Sequence, residues 1–147
     1  MTAVGLETHV ARVVELFERL TPADVLRLPE VYAPAVQFKD PFNEVRGVAE
    51  VQRIFAHMFE TLDCPRFVVR DVASRGEQCF LTWEMQFRLR RFDRAPRSIR
   101  GASHLVFDMN GQIILHRDYW DAAEELYEKL PYLGALMRWL KRRVNGA

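Results

Sequence analysis

Apolar residues recur at helical spacing through the first part of the chain. Leu6, Val10, Val13, Val14 and Phe17 mark an amphipathic helix over roughly residues 5–20. Thr21-Pro22-Ala23-Asp24 reads as a fresh helix start, with threonine at the cap, proline in the first turn and Asp24 at the positive end of the dipole. This second helix turns Val25 and Leu28 inward and ends near Pro29 to Tyr32. Val36 to Lys39 alternates as a short strand, broken by Asp40-Pro41-Phe42. Gly47 opens a third helix with the stripe Val48, Val51, Phe55, Met58, Leu62. His57 and His9 lie off their stripes and are expected in solvent.

From Arg66 the period becomes two. Phe67 to Ala73 is the first long strand, followed by a turn at Ser74-Arg75-Gly76. Gln78 to Arg91 alternates Cys79, Leu81, Trp83, Met85, Phe87 and Leu89 with polar residues. A turn around Asp93 to Pro96 leads to Ile99–Phe107, and Asp108-Met109-Asn110-Gly111 leads to Gln112–Trp120. Asn-Gly favours a type I′ turn, in which both central residues take positive φ. Asp121 then caps a last helix, with Glu124 in capping-box position. Pro131 kinks or restarts that helix before an amphipathic tail of Leu133, Leu136, Met137, Leu140 and Val144. Helices followed by a meander of strands indicate an α+β fold with helices on one face of a curved sheet.

Composition narrows the class without naming a function. A chain of 147 residues, 49% hydrophobic, makes one domain with a real core. Net charge of +1 gives no global case for nucleic acid. Cys64 and Cys79 match neither a disulfide framework nor a metal spacing, and they read as reduced thiols of a cytoplasmic protein. The N-terminus lacks the apolar run of a signal peptide, and no stretch is long enough to span a bilayer.

The last hairpin concentrates the chemistry. With Asn110-Gly111 as the turn, Phe107 pairs with Ile114, Leu105 with His116, and Ser103 with Asp118. Ile99, Gly101, Ser103, Leu105 and Phe107 then share a face with Ile114, His116, Asp118 and Trp120. An apolar wall carrying an imidazole and a carboxylate is the make-up of a small-molecule pocket. A three-residue turn reverses the parity and puts His116 and Asp118 outside. Tyr119 faces away, and His104 faces the sheet exterior or a dimer contact.

Tyr32-Ala33 followed by Asp40-Pro41, the Phe107-Asp108 to Gly111 hairpin and the closing Tyr119-Trp120 together resemble the NTF2-like superfamily, with its SnoaL-like polyketide cyclases and ketosteroid isomerases. The resemblance covers about Leu6 to Asp121 of a single 1–147 domain, leaving 121–145 as a C-terminal helical extension. It implies a cone, in which a curved antiparallel sheet wraps on N-terminal helices around a pocket, and a homodimer. Asp40 matches the isomerases' general base, the aspartate before a proline after the first short strand. Their phenolic oxyanion donor falls at Leu16 or Phe17 and their carboxylic-acid donor at Ser103, so steroid isomerisation is not expected. The same alignment turns His116, Asp118 and Trp120 toward the pocket.

The candidate catalytic residues are thus Asp40, His116 and Asp118, and the candidate ligand-binding residues Trp83, Ser103, Leu105 and Trp120. The expected ligand is a small hydrophobic molecule. The expected chemistry is isomerisation, cyclisation or dehydration by proton transfer, with no cofactor and no metal; a non-catalytic binding or dimerisation module is the alternative. Arg88, Arg90, Arg91, Arg94, Arg97 and Arg100 on one hairpin, with the basic tail, raise a peripheral membrane contact. Solvated strand ends and a basic helix terminus are the simpler account of the same residues.

Overall fold

A computed structural model describes residues 2–91, 94–125 and 131–145. Helix α1 (Ala3–Glu18) begins where the Thr2 hydroxyl accepts the Gly5 N–H, and buries Leu6, Val10, Val13 and Phe17 at the spacing the sequence shows. His9 departs from expectation. It is half-buried over the hairpin tip, and a Cβ on Gly111 would meet its ring at 2.1 Å.

The second helical stretch, Pro22–Glu30, is 3₁₀ rather than α. Its start follows the sequence: the Asp24 carboxylate accepts the Thr21 N–H at 2.9 Å and hydroxyl at 2.8 Å, which holds its carboxyl below the usual range. In an α-helix the Pro29 ring would strike the carbonyl of Val25. Here that carbonyl instead accepts a hydrogen bond from Gln52 Nε2 at 3.0 Å.

Six strands form one sheet: β1 (Tyr32–Lys39), β2 (Glu44–Arg46), β3 (Leu62–Arg75), β4 (Gln78–Leu89), β5 (Arg97–Phe107) and β6 (Ile113–Tyr119). Their order is β2-β1-β6-β5-β4-β3, antiparallel throughout except for the parallel β1–β6 pair. Helix α2 (Val48–Thr61) lies between β2 and β3, with Val51 and Phe55 buried. Leu62, expected at the end of its stripe, is the first residue of β3. That strand starts earlier than the alternation shows because Cys64, at φ 49°, and Pro65 interrupt its pairing between Asp63 and Arg66. Cys64 is exposed and Cys79 buried, and both are free. The curved sheet wraps on α1 and α2, and the core lies between them, centred on Val13, Leu28, Tyr32, Val36, Val51, Leu105, Phe107 and Ile113.

Asp121 caps the last helical segment as expected, its Oδ1 accepting the N–H groups of Ala123 and Glu124 at 3.0 and 3.1 Å. Helix α3 (Ala122–Glu125) packs on β5, where the buried Glu125 carboxylate accepts Arg100 Nε at 3.3 Å. Helix α4 runs from Pro131 to Asn145. Residues 126–130, and Phe92-Asp93 in the expected turn before β5, lie outside the described residues. No helix among the described residues is long and apolar enough to cross a membrane.

Candidate functional site

The site depends on the β5–β6 hairpin, and its turn is not the one Asn-Gly suggests. Only Gly111 takes positive φ, at 76°; Asn110 does not. The Asp108 carboxylate accepts the Asn110 and Gln112 N–H groups at 2.8 and 2.9 Å, while the Asp108 N–H donates to the Gln112 carbonyl at 2.8 Å. Three residues, 109–111, therefore make the loop, and Phe107 pairs with Ile113 instead of Ile114. Continued without interruption, that register would set His116 opposite His104 and turn it outward. A bulge at Ile114 restores the parity: Val106 pairs with Leu115, Leu105 with His116 and Ser103 with Asp118. Ile114, expected inside, is the extra residue and is exposed, while Ile113 is fully buried in its place.

Five side chains from four strands then join in one chain of hydrogen bonds. Trp83 Nε1 donates to Ser103 Oγ at 2.8 Å, and Ser103 Oγ donates to Asp118 Oδ1 at 2.5 Å. Oδ1 also bonds His116 Nε2 at 2.7 Å, and His116 Nδ1 bonds the Tyr32 hydroxyl at 2.7 Å. The donor roles follow from the ends. Indole N–H only donates, so Ser103 spends its own proton on Asp118. Tyr32 is fully buried, and desolvation, with the Asp118 charge second, pushes its phenol well above the usual range. The phenol keeps its proton, and with that proton donated to Nδ1 the imidazole presents Nε2–H to Asp118.

Packing fixes these groups. The His116 ring, 4% exposed, is stacked on Tyr32 with centroids 5.9 Å apart and meets Phe38 edge-on at 4.8 Å. Gly101 lets the Trp83 indole cross β5, since a Cβ there would lie 2.5 Å from two indole carbons and 3.1 Å from Trp120 Cβ. Asp118 Oδ2 is left without a hydrogen-bond partner among the described residues.

Asp118 lines a cavity of about 420 Å³ between α1, α2 and the sheet. Its lining includes all seven residues singled out from the sequence: Asp40, Trp83, Ser103, Leu105, His116, Asp118 and Trp120. The remainder is mainly apolar, including Phe17, Phe38, Ile54, Phe55, Met58, Phe67, Met85 and Phe87. Among the described residues, no Lys or Arg lines it. His57, expected in solvent, is exposed and reaches only its rim.

Asp40 is placed differently from Asp118. Its Oδ1 accepts Phe42 N–H at 2.7 Å, Asn43 N–H at 2.6 Å and Asn43 Nδ2 at 3.1 Å, closing the turn after β1. Its Oδ2 receives one bond, from Asn43 Nδ2 at 3.1 Å. The turn brings Phe42 edge-on to Trp120, with centroids 5.5 Å apart. Tyr119 and His104 lie outside, Tyr119 under the Arg117 guanidinium and His104 stacked on Phe80 and bonded to Gln78. Among the described residues, no three His, Cys, Asp or Glu side chains converge as metal ligands do.

Tyr32 is the member of the network that the strand pattern does not reveal. It sits 84 residues from His116 in sequence, where β1 makes an irregular step. From Tyr32 to Gln37 β1 advances five positions against only two of β6, Ile113 to Leu115, around Pro34, which has no N–H to give. The nearest signal is a tyrosine entering a strand, which by itself reads as core.

Comparison with known proteins agrees with this architecture. The SnoaL-like domain family matches residues 13–116. An NTF2-like protein of unknown function from Burkholderia pseudomallei superposes with a TM-score of 0.70 at 18% identity, covering 84% of this chain and 95% of that one. A putative SnoaL-like polyketide cyclase from Jannaschia gives 0.69 at 17%, covering 79% and 87%. A protein of ketosteroid isomerase-like fold from Catenulispora acidiphila, in complex with trimethylamine, gives 0.69 at 12%, covering 80% and 88%. By sequence, no curated protein matches the chain. The chain belongs to the SnoaL-like domain family and has the NTF2-like α+β fold.

Proposed function

We propose that the cavity binds a small hydrophobic molecule and that Asp118 is the proton-accepting group in a cofactor-free proton transfer. The observation that carries this reading is the state of the Asp118 carboxylate. Oδ1 is fixed by Ser103 and His116, while Oδ2 has no hydrogen-bond partner among the described residues and the residue lines an apolar cavity with room for a ligand. A base must be held in place and yet keep a lone pair free, and this carboxylate does both.

The step is simple to balance. Oδ2 accepts a proton from an acidic C–H of the ligand, and the electron pair moves into the ligand's conjugated system. Returning the proton to another carbon gives isomerisation. Attack of the carbanion on a carbonyl of the same molecule, with the proton returned from Oδ2 to the alkoxide that forms, gives cyclisation, and loss of a hydroxyl that takes the proton as water gives dehydration. The hydrogen bond between His116 Nε2 and Asp118 Oδ1 holds the carboxylate's orientation, while Tyr32 holds His116. Asp40, at the mouth, is the second carboxylate available to such a ligand. Val72, Phe80 and Ile114 are exposed on the sheet, and we place the proposed homodimer contact there.

One observation favours the non-catalytic reading. The polar donors of the inner wall, Trp83, Ser103 and His116, are all committed to one another, so none is free to meet an oxyanion forming on the ligand. Asp118→Asn separates the two. Mass spectrometry of protein from native expression identifies the co-purified ligand, which is then offered to both proteins. Turnover by wild type, lost in a folded Asp118→Asn that still binds, supports proton transfer. Binding without turnover in either protein assigns a binding module. A cavity that takes up no hydrophobic molecule refutes both.

A further inference from the structure

Helix α4 is a separate feature with its own chemistry. It carries Arg138, Lys141, Arg142 and Arg143 and no acidic residue from Pro131 to Asn145. Four of its large apolar side chains are not packed away: Leu136 is 50% exposed, Trp139 45%, Leu140 43% and Val144 79%.

Arg143 apart, the two sets occupy opposite sides of the helix. At about 100° per residue, Trp139, Leu136, Leu140 and Val144 fall within an arc of roughly 140°. Lys141, Arg138 and Arg142 fall within an arc of roughly 100° on the far side. Arg143 falls inside the apolar arc, between Trp139 and Leu136, with its guanidinium 4.9 Å from the Trp139 ring centroid, so its charge sits beside the indole. An exposed tryptophan at the margin of an apolar stripe, backed by a basic face, fits the boundary between lipid headgroups and acyl chains. Two copies paired through this arc would each cover an Arg143 with no acidic residue on the helix to meet it, which argues against self-pairing.

We propose that α4 is a peripheral anchor that lays its apolar arc on an anionic lipid surface. The apolar arc enters the headgroup boundary while the flanking Arg and Lys side chains reach acidic headgroups. This anchor is independent of the cavity chemistry.

The full-length protein is sedimented with phosphatidylcholine vesicles with and without about 30% phosphatidylserine, the anionic fraction supplying the surface potential that attracts basic residues. The expected result is at least about tenfold tighter association with the anionic vesicles, weakening as salt rises from about 0.05 to 0.5 M. Replacing Arg138, Lys141, Arg142 and Arg143 by Gln is expected to abolish the preference. Leu136→Ser with Leu140→Ser is expected to lose binding to both vesicles. Thermal melts check that each variant keeps the domain folded, and a Trp139 fluorescence shift on binding reports insertion independently. No association, equal association with both vesicles, or a drop in molecular mass of the Leu136→Ser, Leu140→Ser protein that reveals a second copy on this face, each overturns the proposal.

Discussion

Tyr32→Phe removes one oxygen from the buried end of the network and tests how His116 is held. The wild-type phenol donates to His116 Nδ1 at 2.7 Å, and that ring is enclosed by Tyr32, Phe38 and Phe17. Phenylalanine keeps the stacking but leaves Nδ1 buried without its donor. An orphaned buried acceptor costs about 1–3 kcal/mol, and removing the phenol's own desolvation offsets part of it. The net expectation is a loss of about 1–2 kcal/mol by urea denaturation at neutral pH, or roughly 2–8 °C in Tm for a chain of this size. A second measurement isolates the phenol. The folded-state pKa of Tyr32 is raised, so its contribution is complete below the unfolded value of about 10 and is lost as pH rises beyond it. Between about pH 10 and 11, wild type should lose up to about 1.4 kcal/mol per pH unit more than the variant. The difference between the two proteins cancels the other groups that titrate there. A variant as stable as wild type, with the same alkaline slope, refutes the donor role of Tyr32.

Two further perturbations address how the strands deliver the site. Gly101→Ala places a methyl 2.5 Å from the Trp83 indole, so the ring must shift and its bond to Ser103 breaks. The expected cost is about 2–4 kcal/mol, read by denaturation together with a change in tryptophan emission, and a loss below about 0.5 kcal/mol contradicts the account. Deleting Ile114 removes the bulge residue while leaving Phe107–Ile113 and Leu105–His116 paired as they are. The deletion is expected to fold, at a cost below about 2 kcal/mol, with His116 still inside; a crystal structure with His116 turned to solvent contradicts it.

The bulge also explains what the sequence made legible. Alternation in Gln78–Leu89 and Arg97–Phe107 placed Trp83, Ser103 and Leu105 on one face, because period two is a direct consequence of strand geometry. The pairing of His116 with Leu105 and Asp118 with Ser103 was obtained through a two-residue turn that the chain does not make. The three-residue loop and the bulge each shift the register by one, and the shifts cancel. Nothing local reveals the bulge, since Ile113, Ile114 and Leu115 are all apolar and suit either face. Tyr32 is set by a distant partner, His116, which no local pattern shows. The 3₁₀ form of Pro22–Glu30 follows from Pro29, whose ring is incompatible with the α-helical turn before it. The Asp40 turn shows the reverse, where an Asp-Pro signal legible as a turn is a turn, whatever else its carboxylate does.

The measurement that bears most directly on the central claim is a crystal structure of the protein with its co-purified or best-binding hydrophobic ligand. The account predicts a ligand in the cavity between Phe38, Trp83 and Trp120, with a polar atom or acidic C–H carbon within about 3.5 Å of Asp118 Oδ2. It also predicts Ser103 and His116 still bonded to Oδ1. A ligand seated there with Oδ2 turned away from it, or bound elsewhere with the cavity unchanged, contradicts the account.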